Sequence, residues 1–169
     1  MDAISAIMTR RSPRAWQRKT VPPEIIMQLL AAGMQAPSAG DGQPWHFIVI
    51  DDRDLLDQAS RFYPGAAPAR SAPVGILACG DIGEDRFGGF WEQDCAAAVE
   101  NILLAAHALG LGALWTGVYP LSERVHAFRK LLKLPANIEV LAFVMVGYPN
   151  MIPPPEDRFR KNRVHINKW

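Results

Sequence analysis

Residues 90–109 restrict the possible folds more than any other stretch. They carry alanine at 96, 97, 98, 105, 106 and 108, and apolar side chains lie almost all round a helical projection. A helix that is apolar on every side is buried on every side. In a chain of 169 residues this requires a central helix, or one whose open face lies against a second subunit. Glu100, Asn101 and His107 interrupt the apolar run 95–115, which therefore reads as a core helix leading into a strand and not as a membrane span.

Helical and extended patterns alternate through the rest of the chain. Residues 3–9 form a short helix with Asp2 as its cap and Ile4, Ile7 and Met8 on one face. Pro23 and Glu24 open a second helix, whose buried stripe is Ile25, Ile26, Leu29 and Leu30. Strands are expected at 46–50, 74–79, 113–118 and 140–147, and further helices at 54–62 and 122–132. Within the last helix, Val125, Phe128, Leu131 and Leu132 point inward. No repeat or linker divides the chain, so residues 1–169 are expected to form one layered α/β or α+β domain. The tail 148–169 is proline-rich, then basic and aromatic, and it cannot build its own core. Its ending, with Val164, Ile166 and Trp169, favours wrapping over another surface rather than disorder.

A net charge of +1 gives no broad basic surface, which argues against nucleic-acid or membrane partners. Cys79 and Cys95 sit in apolar runs and form no C-x-x-C pair, so buried reduced thiols and a cytoplasmic location are expected. The start of the chain lacks the basic-then-apolar layout of a signal peptide.

The usual catalytic motifs are missing: there is no G-x-S-x-G elbow and no phosphate loop of the G-x-x-x-x-G-K-[ST] type. His46, His107, His126 and His165 show no metal-ligand spacing, so no metal is expected. An enzyme built this way would take its chemistry from a bound cofactor. Three stretches could hold one. Arg10, Arg11, Ser12 and Arg14 suit a phosphate, because guanidinium forks match its oxygens; the alternative is a solvated helix end. The loop 36–47, A-P-S-A-G-D-G-Q-P-W-H-F, is stiffened by Pro37 and by Pro44, which biases Gln43 towards extended backbone. Gly40 and Gly42 leave its middle bare and allow positive φ there. In W-T-G-V-Y-P at 115–120, Gly117 permits close backbone approach at a strand end, and Tyr119 stands at the turn.

Taken in order, R-R-S-P-R, A-P-S-A-G-D-G-Q-P-W-H-F, the Ala-rich helix with G-L-G-A-L-W-T-G, and Gly147-Tyr148-Pro149 with its basic ending resemble the nitroreductase-like flavoprotein family over nearly the whole chain. The resemblance implies an α+β fold with a mixed central β-sheet flanked by helices. It also implies a homodimer with FMN at the subunit interface and a C-terminal arm wrapping the partner. Arg10, Arg11 and Ser12 would hold the FMN phosphate and ribityl chain, and Arg14 would stabilise charge at the flavin N1–C2=O edge. Pro37, Ser38 and Ala39 would cover the ring from the other subunit, in a loop whose Asp41 and Gln43 also belong to the cofactor site. The backbone of Gly117 and Val118 would approach N5, and Arg163, with Arg160 or Lys161, would close on the phosphate. Asp41 departs from the family's usual asparagine and calls for a nearby arginine partner. The segment 81–90 is too short for a helical lid, which implies an open site. The implied activity is ping-pong hydride transfer from NAD(P)H through FMN to nitroaromatic, quinone or enone acceptors. The alternatives are a reductive dehalogenase or flavin-consuming relative, a flavin-storage dimer, and a plain phosphate-binding module.

Overall fold

The computed structural model describes all residues, Met1–Trp169. Five α-helices run in chain order as α1 (Ala3–Thr9), α2 (Pro23–Gly33), α3 (Arg53–Ala59), α4 (Trp91–Ala108) and α5 (Ser122–Leu132). The four strands are β1 (Trp45–Ile50), β2 (Val74–Asp81), β3 (Gly112–Gly117) and β4 (Ile138–Gly147), paired in the order β1-β2-β4-β3. All three pairings are antiparallel, so the sheet of one chain is not mixed. The links through α3 and through α5 each return the chain to the sheet at the end where it left, which makes the neighbour antiparallel.

The sheet divides two apolar layers. On one face α2 and α4 pack through Leu29, Ile102, Val99 and Ala98 against Ile76, Ala78, Val144 and Val146. On the other, α3, α5 and the segment 64–70 pack through Leu56, Ala66, Ala69 and Phe128 against Leu77, Cys79, Phe143 and Met145. Alternate side chains of β2 and β4 serve opposite layers, as the strand period requires. The alternation slips once, at a bulge where Ala78 pairs with Ala142 and Cys79 with Val140. Leu141 is the extra residue, and both it and Ala142 face the α4 layer.

Local chemistry explains the helix ends. The Asp2 carboxylate accepts from the Ser5 N–H (3.0 Å) and caps α1; that of Asp52 accepts from the Leu55 N–H (2.9 Å) and caps α3. At the start of α4 the Asp85 carboxylate accepts from the N–H groups of Gly89 (2.6 Å) and Phe90 (3.1 Å). The helix α4 is central but not covered all round: Gln93 is exposed, and Ala96, Ala97, Glu100 and Leu104 are only partly buried. On α1 only Ala6 is buried, and the face formed by Ile4, Ile7 and Met8 is open.

Both cysteines are buried and free. Burial pushes each thiol up to about 12. Neither should react with Ellman's reagent at pH 8 until the protein unfolds, and prompt native labelling would contradict that burial. Because the folded pKa lies above the unfolded value of about 8.5, this stabilisation is complete at lower pH and is lost as pH rises towards 12. Denaturant midpoints measured from pH 8 to 11 should therefore fall.

Candidate functional site

The arginine cluster lies directly after α1, where Thr9 Oγ1 contacts His107 Nε2 at 2.8 Å and fixes the helix end to α4. The following segment lies flat on paired glycines. Gly112 sits opposite Gly147 in the β3–β4 ladder. A side chain at Gly112 would collide with Pro13, and one at Gly147 would come within 2.6 Å of Pro73 and 2.8 Å of Trp16. Trp16 Nε1 donates to the Gly112 carbonyl at 3.2 Å. The bare glycines thus let residues 13–16 dock on the sheet and aim the preceding arginines.

Arg10, Arg11, Ser12 and Arg14 line a cleft of about 360 Å³ with Pro153, Pro154, Pro155, Glu156 and Arg158. Arg10 pairs with Glu100 on α4 at 3.4 Å. Arg11 is buried and donates to the carbonyls of Arg10 (2.6 Å), Pro154 (3.0 Å), Met8 (3.3 Å) and Glu156 (3.4 Å). It buckles the tail to the N-terminal segment, and its donors are committed to backbone. Arg14 is exposed, with one long contact to the Ser12 carbonyl at 3.5 Å. The Glu156 carboxylate accepts from Arg158 at 3.1 Å, so its charge is matched. Burial first, then the Arg10 and Arg11 guanidiniums, hold the neighbouring His107 below the usual imidazole range.

Of the tail's basic cluster, Arg158, Arg160, Lys161 and Arg163, one chain brings to this cleft an arginine other than those the family resemblance implies. Arg158 lines it, whereas Arg160 and Arg163 do not. The run Pro153–Pro155 sets a stiff path, so residue 158 reaches the cleft mouth while the later basic residues run on into solvent.

The loop 36–47 is held from three sides. Ala39 N–H donates to the buried Asp94 carboxylate of α4 (3.0 Å), Gln43 N–H donates to Ser38 Oγ (3.0 Å), and Arg86 donates to the Gly40 carbonyl (2.7 Å). Gly40 takes a positive φ of 57°, but Gly42 does not. Asp41 and Gln43 take positive φ instead, at 55° and 50°. Gln43 is therefore not extended, because its bonds to Ser38 and Asp41 outweigh the bias from Pro44. The Asp41 carboxylate accepts from the Gln43 side-chain amide at 2.7 Å, so an amide and not an arginine is its partner. Pro37 is exposed beside it. Asp94 was detectable in the sequence as an acid on the buried stripe of Trp91, Cys95, Ala98 and Ile102.

At the far end of β3, Gly117 is exposed and Val118 buried. The Leu141 carbonyl accepts from the N–H groups of both Val118 and Tyr119, each at 3.1 Å. Arg124 donates to the Gly117 carbonyl (2.8 Å) and lies 4.2 Å from the Tyr63 ring centroid. The Tyr63 hydroxyl meets Thr116 Oγ1 at 2.9 Å, and Thr116 donates to the Phe143 carbonyl at 2.8 Å. Arg124 and Tyr63 were not among the sequence candidates, since single residues in unremarkable stretches carry no motif. Tyr119 packs edge-on against Trp91 at 5.1 Å. No helix covers residues 82–90, and Phe87 and Phe90 are exposed there.

A basic cleft, a braced glycine loop and an open strand end on an α+β scaffold define a cofactor-binding class of protein. The model of the nitroreductase family matches residues 7–69 and 65–148, and the chain belongs to that family. A provisionally named NADH dehydrogenase/NAD(P)H nitroreductase of Methanothermobacter thermautotrophicus is 46% identical over 169 residues, covering 100% of this chain and 88% of that protein. The crystal structure of a protein given the same provisional name, from Parabacteroides distasonis, superposes with a TM-score of 0.95 at 38% identity, covering 99% of this chain and 98% of that one. A provisionally assigned nitroreductase of Desulfovibrio desulfuricans, solved in complex with FMN, superposes with a TM-score of 0.86 at 30% identity over 100% of this chain and 98% of that one.

Proposed function

We propose that this protein is an FMN-dependent NAD(P)H oxidoreductase that works by ping-pong hydride transfer on nitroaromatic, quinone or enone acceptors. The observation that carries this reading is the cleft in which Arg10, Arg11, Ser12 and Arg14 converge with Arg158. The donor set fits the phosphate of FMN: guanidiniums and a hydroxyl face one concavity whose only carboxylate is already paired. When bound, FMN supplies the chemistry, accepting hydride from NAD(P)H and passing electrons on to the acceptor.

The chain's own residues bind and orient. Arg10 and Ser12 hold the phosphate end, while Arg11 keeps the tail closed beside it. Arg14, uncommitted and exposed, supplies fixed positive charge at the N1–C2=O edge. Gly117 leaves the strand end bare for close approach on the N5 side, and Arg124 steadies its carbonyl. The N–H of Val118 is spent on Leu141, so Val118 contributes shape there and not a donor. The short turn 82–90 leaves the acceptor side open, which suits a broad range of flat electron acceptors.

The working unit is a homodimer of single-domain chains spanning residues 1–169, in the cytoplasm. Ile4, Ile7 and Met8 on α1, and Ile166 and Trp169 in the tail, are open within one chain, as an interface requires. In that dimer Pro37, Ser38 and Ala39, with Asp41 and Gln43, cover the partner's cofactor, and Arg160 and Arg163 reach the partner's cleft.

The purified protein is expected to show oxidised-flavin absorption bands that bleach under anaerobic NADH or NADPH. A protein that is colourless and takes up no added FMN would overturn this reading; one whose flavin stays oxidised would be a storage protein. Substituting Arg14 with alanine should slow flavin reduction by about tenfold or more while changing FMN retention little. Unchanged stopped-flow reduction would remove Arg14 from its role.

A further inference from the structure

We propose that His46, Asp81 and Glu84 form a binding site for one divalent transition-metal ion, of the class of Zn²⁺. This site does not depend on the flavin reading. Its three side chains come from three places: His46 on β1, Asp81 at the last position of β2, and Glu84 in the turn beyond. One ligand atom from each lies within 4.8 Å of the others, and His46 Nε2 stands 3.8 Å from Glu84 Oε2. Metal–ligand bonds of about 2.1 Å place neighbouring ligands roughly 3.0–3.4 Å apart. The gap is on the order of 1 Å, which the exposed His46 and Glu84 can close by side-chain rotation. The backbone need not move.

The middle ligand is already held in place. Asp81 Oδ2 accepts from the Asn137 side-chain amide at 2.8 Å, and Oδ1 from the Gly83 N–H at 2.8 Å. Its own N–H donates to the Pro44 carbonyl at 2.8 Å, and the Asn137 carbonyl accepts from Ile82 N–H at 3.0 Å. Such outer contacts orient a metal-ligating carboxylate and tune its affinity. Two carboxylates gathered round one imidazole carry more negative charge than the imidazole can offset, and a dication would remove the surplus. The imidazole also sets the metal class, because calcium and magnesium prefer oxygen ligands alone. Three protein ligands leave further positions for water.

The site would fasten a turn that bears on the glycine loop. Arg86, two residues beyond Glu84, holds the Gly40 carbonyl at 2.7 Å, and a Cβ on Gly42 would meet the Glu84 carbonyl at 3.0 Å. A cation that pins Glu84 to the sheet end would therefore also brace residues 40–42. The sequence hides the arrangement because only the β1–β2 pairing brings residue 46 to residues 81–84.

The test is calorimetric titration of the untagged, chelator-treated protein with ZnCl₂ in a non-coordinating buffer, paired with thermal melting. One ion per chain and a raised melting temperature are expected. His46→Ala and Glu84→Gln should each weaken binding at least about tenfold, and Asn137→Ala should do so through Asp81 alone. His46 and Glu84 are exposed, so these variants should melt like the parent in chelator. No binding at millimolar Zn²⁺ would overturn the proposal. So would an affinity unchanged in His46→Ala, because the ion would then sit on other histidines.

Discussion

Replacing Phe143 with alanine is expected to lower stability by about 3–5 kcal/mol, the range for truncating a fully enclosed phenylalanine. The ring has no exposed surface and packs against Phe128 at a centroid distance of 5.1 Å. It also fills the space above Gly75, where an added Cβ would stand 2.5 Å from it. The surrounding strands cannot collapse into the vacated volume, because β4 is paired on both sides. For a chain of this size the loss corresponds to a fall in melting temperature of roughly 6–20 °C. A fall of only one or two degrees would mean that the layer beneath the sheet repacks freely.

The second large effect is predicted at Gly112. Valine there would drive its side chain into Pro13, which lies against the glycine with no room between. The neighbour is a rigid ring on a segment anchored by Trp16, so it cannot yield by rotating a flexible side chain. Overpacking of this kind costs about 1–3 kcal/mol. The cost falls on the segment that aims Arg10–Arg14, so cofactor retention should suffer more than the fold. Circular dichroism should report a folded protein, while the flavin-to-protein absorbance ratio should drop about tenfold or more. Full flavin content in a folded Gly112→Val protein would show that the arginine segment does not depend on its glycine bed.

Much of this architecture was legible in the sequence, for identifiable reasons. The bounds of α1 follow from the Asp2 cap and the apolar period after it, and those of α5 from the period of Val125, Phe128, Leu131 and Leu132 alone, since no side chain caps its start. Strand ends are less accessible, since a strand ends where its neighbour stops pairing. Gly112 lies just before the expected strand 113–118, yet it belongs to β3 because Gly147 pairs with it. Asp81 lies beyond the expected strand 74–79 but extends β2 opposite Ile138. The density of arginines at 10–14 flags that cluster locally. Its tail partner is not local: the path through three consecutive prolines decides that residue 158, and not 160 or 163, meets it within one chain. Backbone angles in the loop 36–47 were the least legible feature. Two glycines mark where positive φ is tolerated, while the hydrogen bonds of Ser38, Asp41 and Gln43 decide where it occurs.

The extra residue at Leu141 makes β4 a strand of two phases. Before it, Ile138 and Val140 face the α5 layer; after it, Phe143 and Met145 do so, although the interval between Val140 and Phe143 is odd. Substitution in this strand is a question of volume, but a change in length is a question of parity. Losing a residue from a regular part of the strand would turn one half of it inside out, while losing Leu141 would bring Val140 and Phe143 to the even spacing of an unbulged strand. The same loss would remove the carbonyl that receives Val118 and Tyr119. Descendants of this chain are thus free to lengthen or shorten many surface turns, while the count of residues through β4 is closed to them.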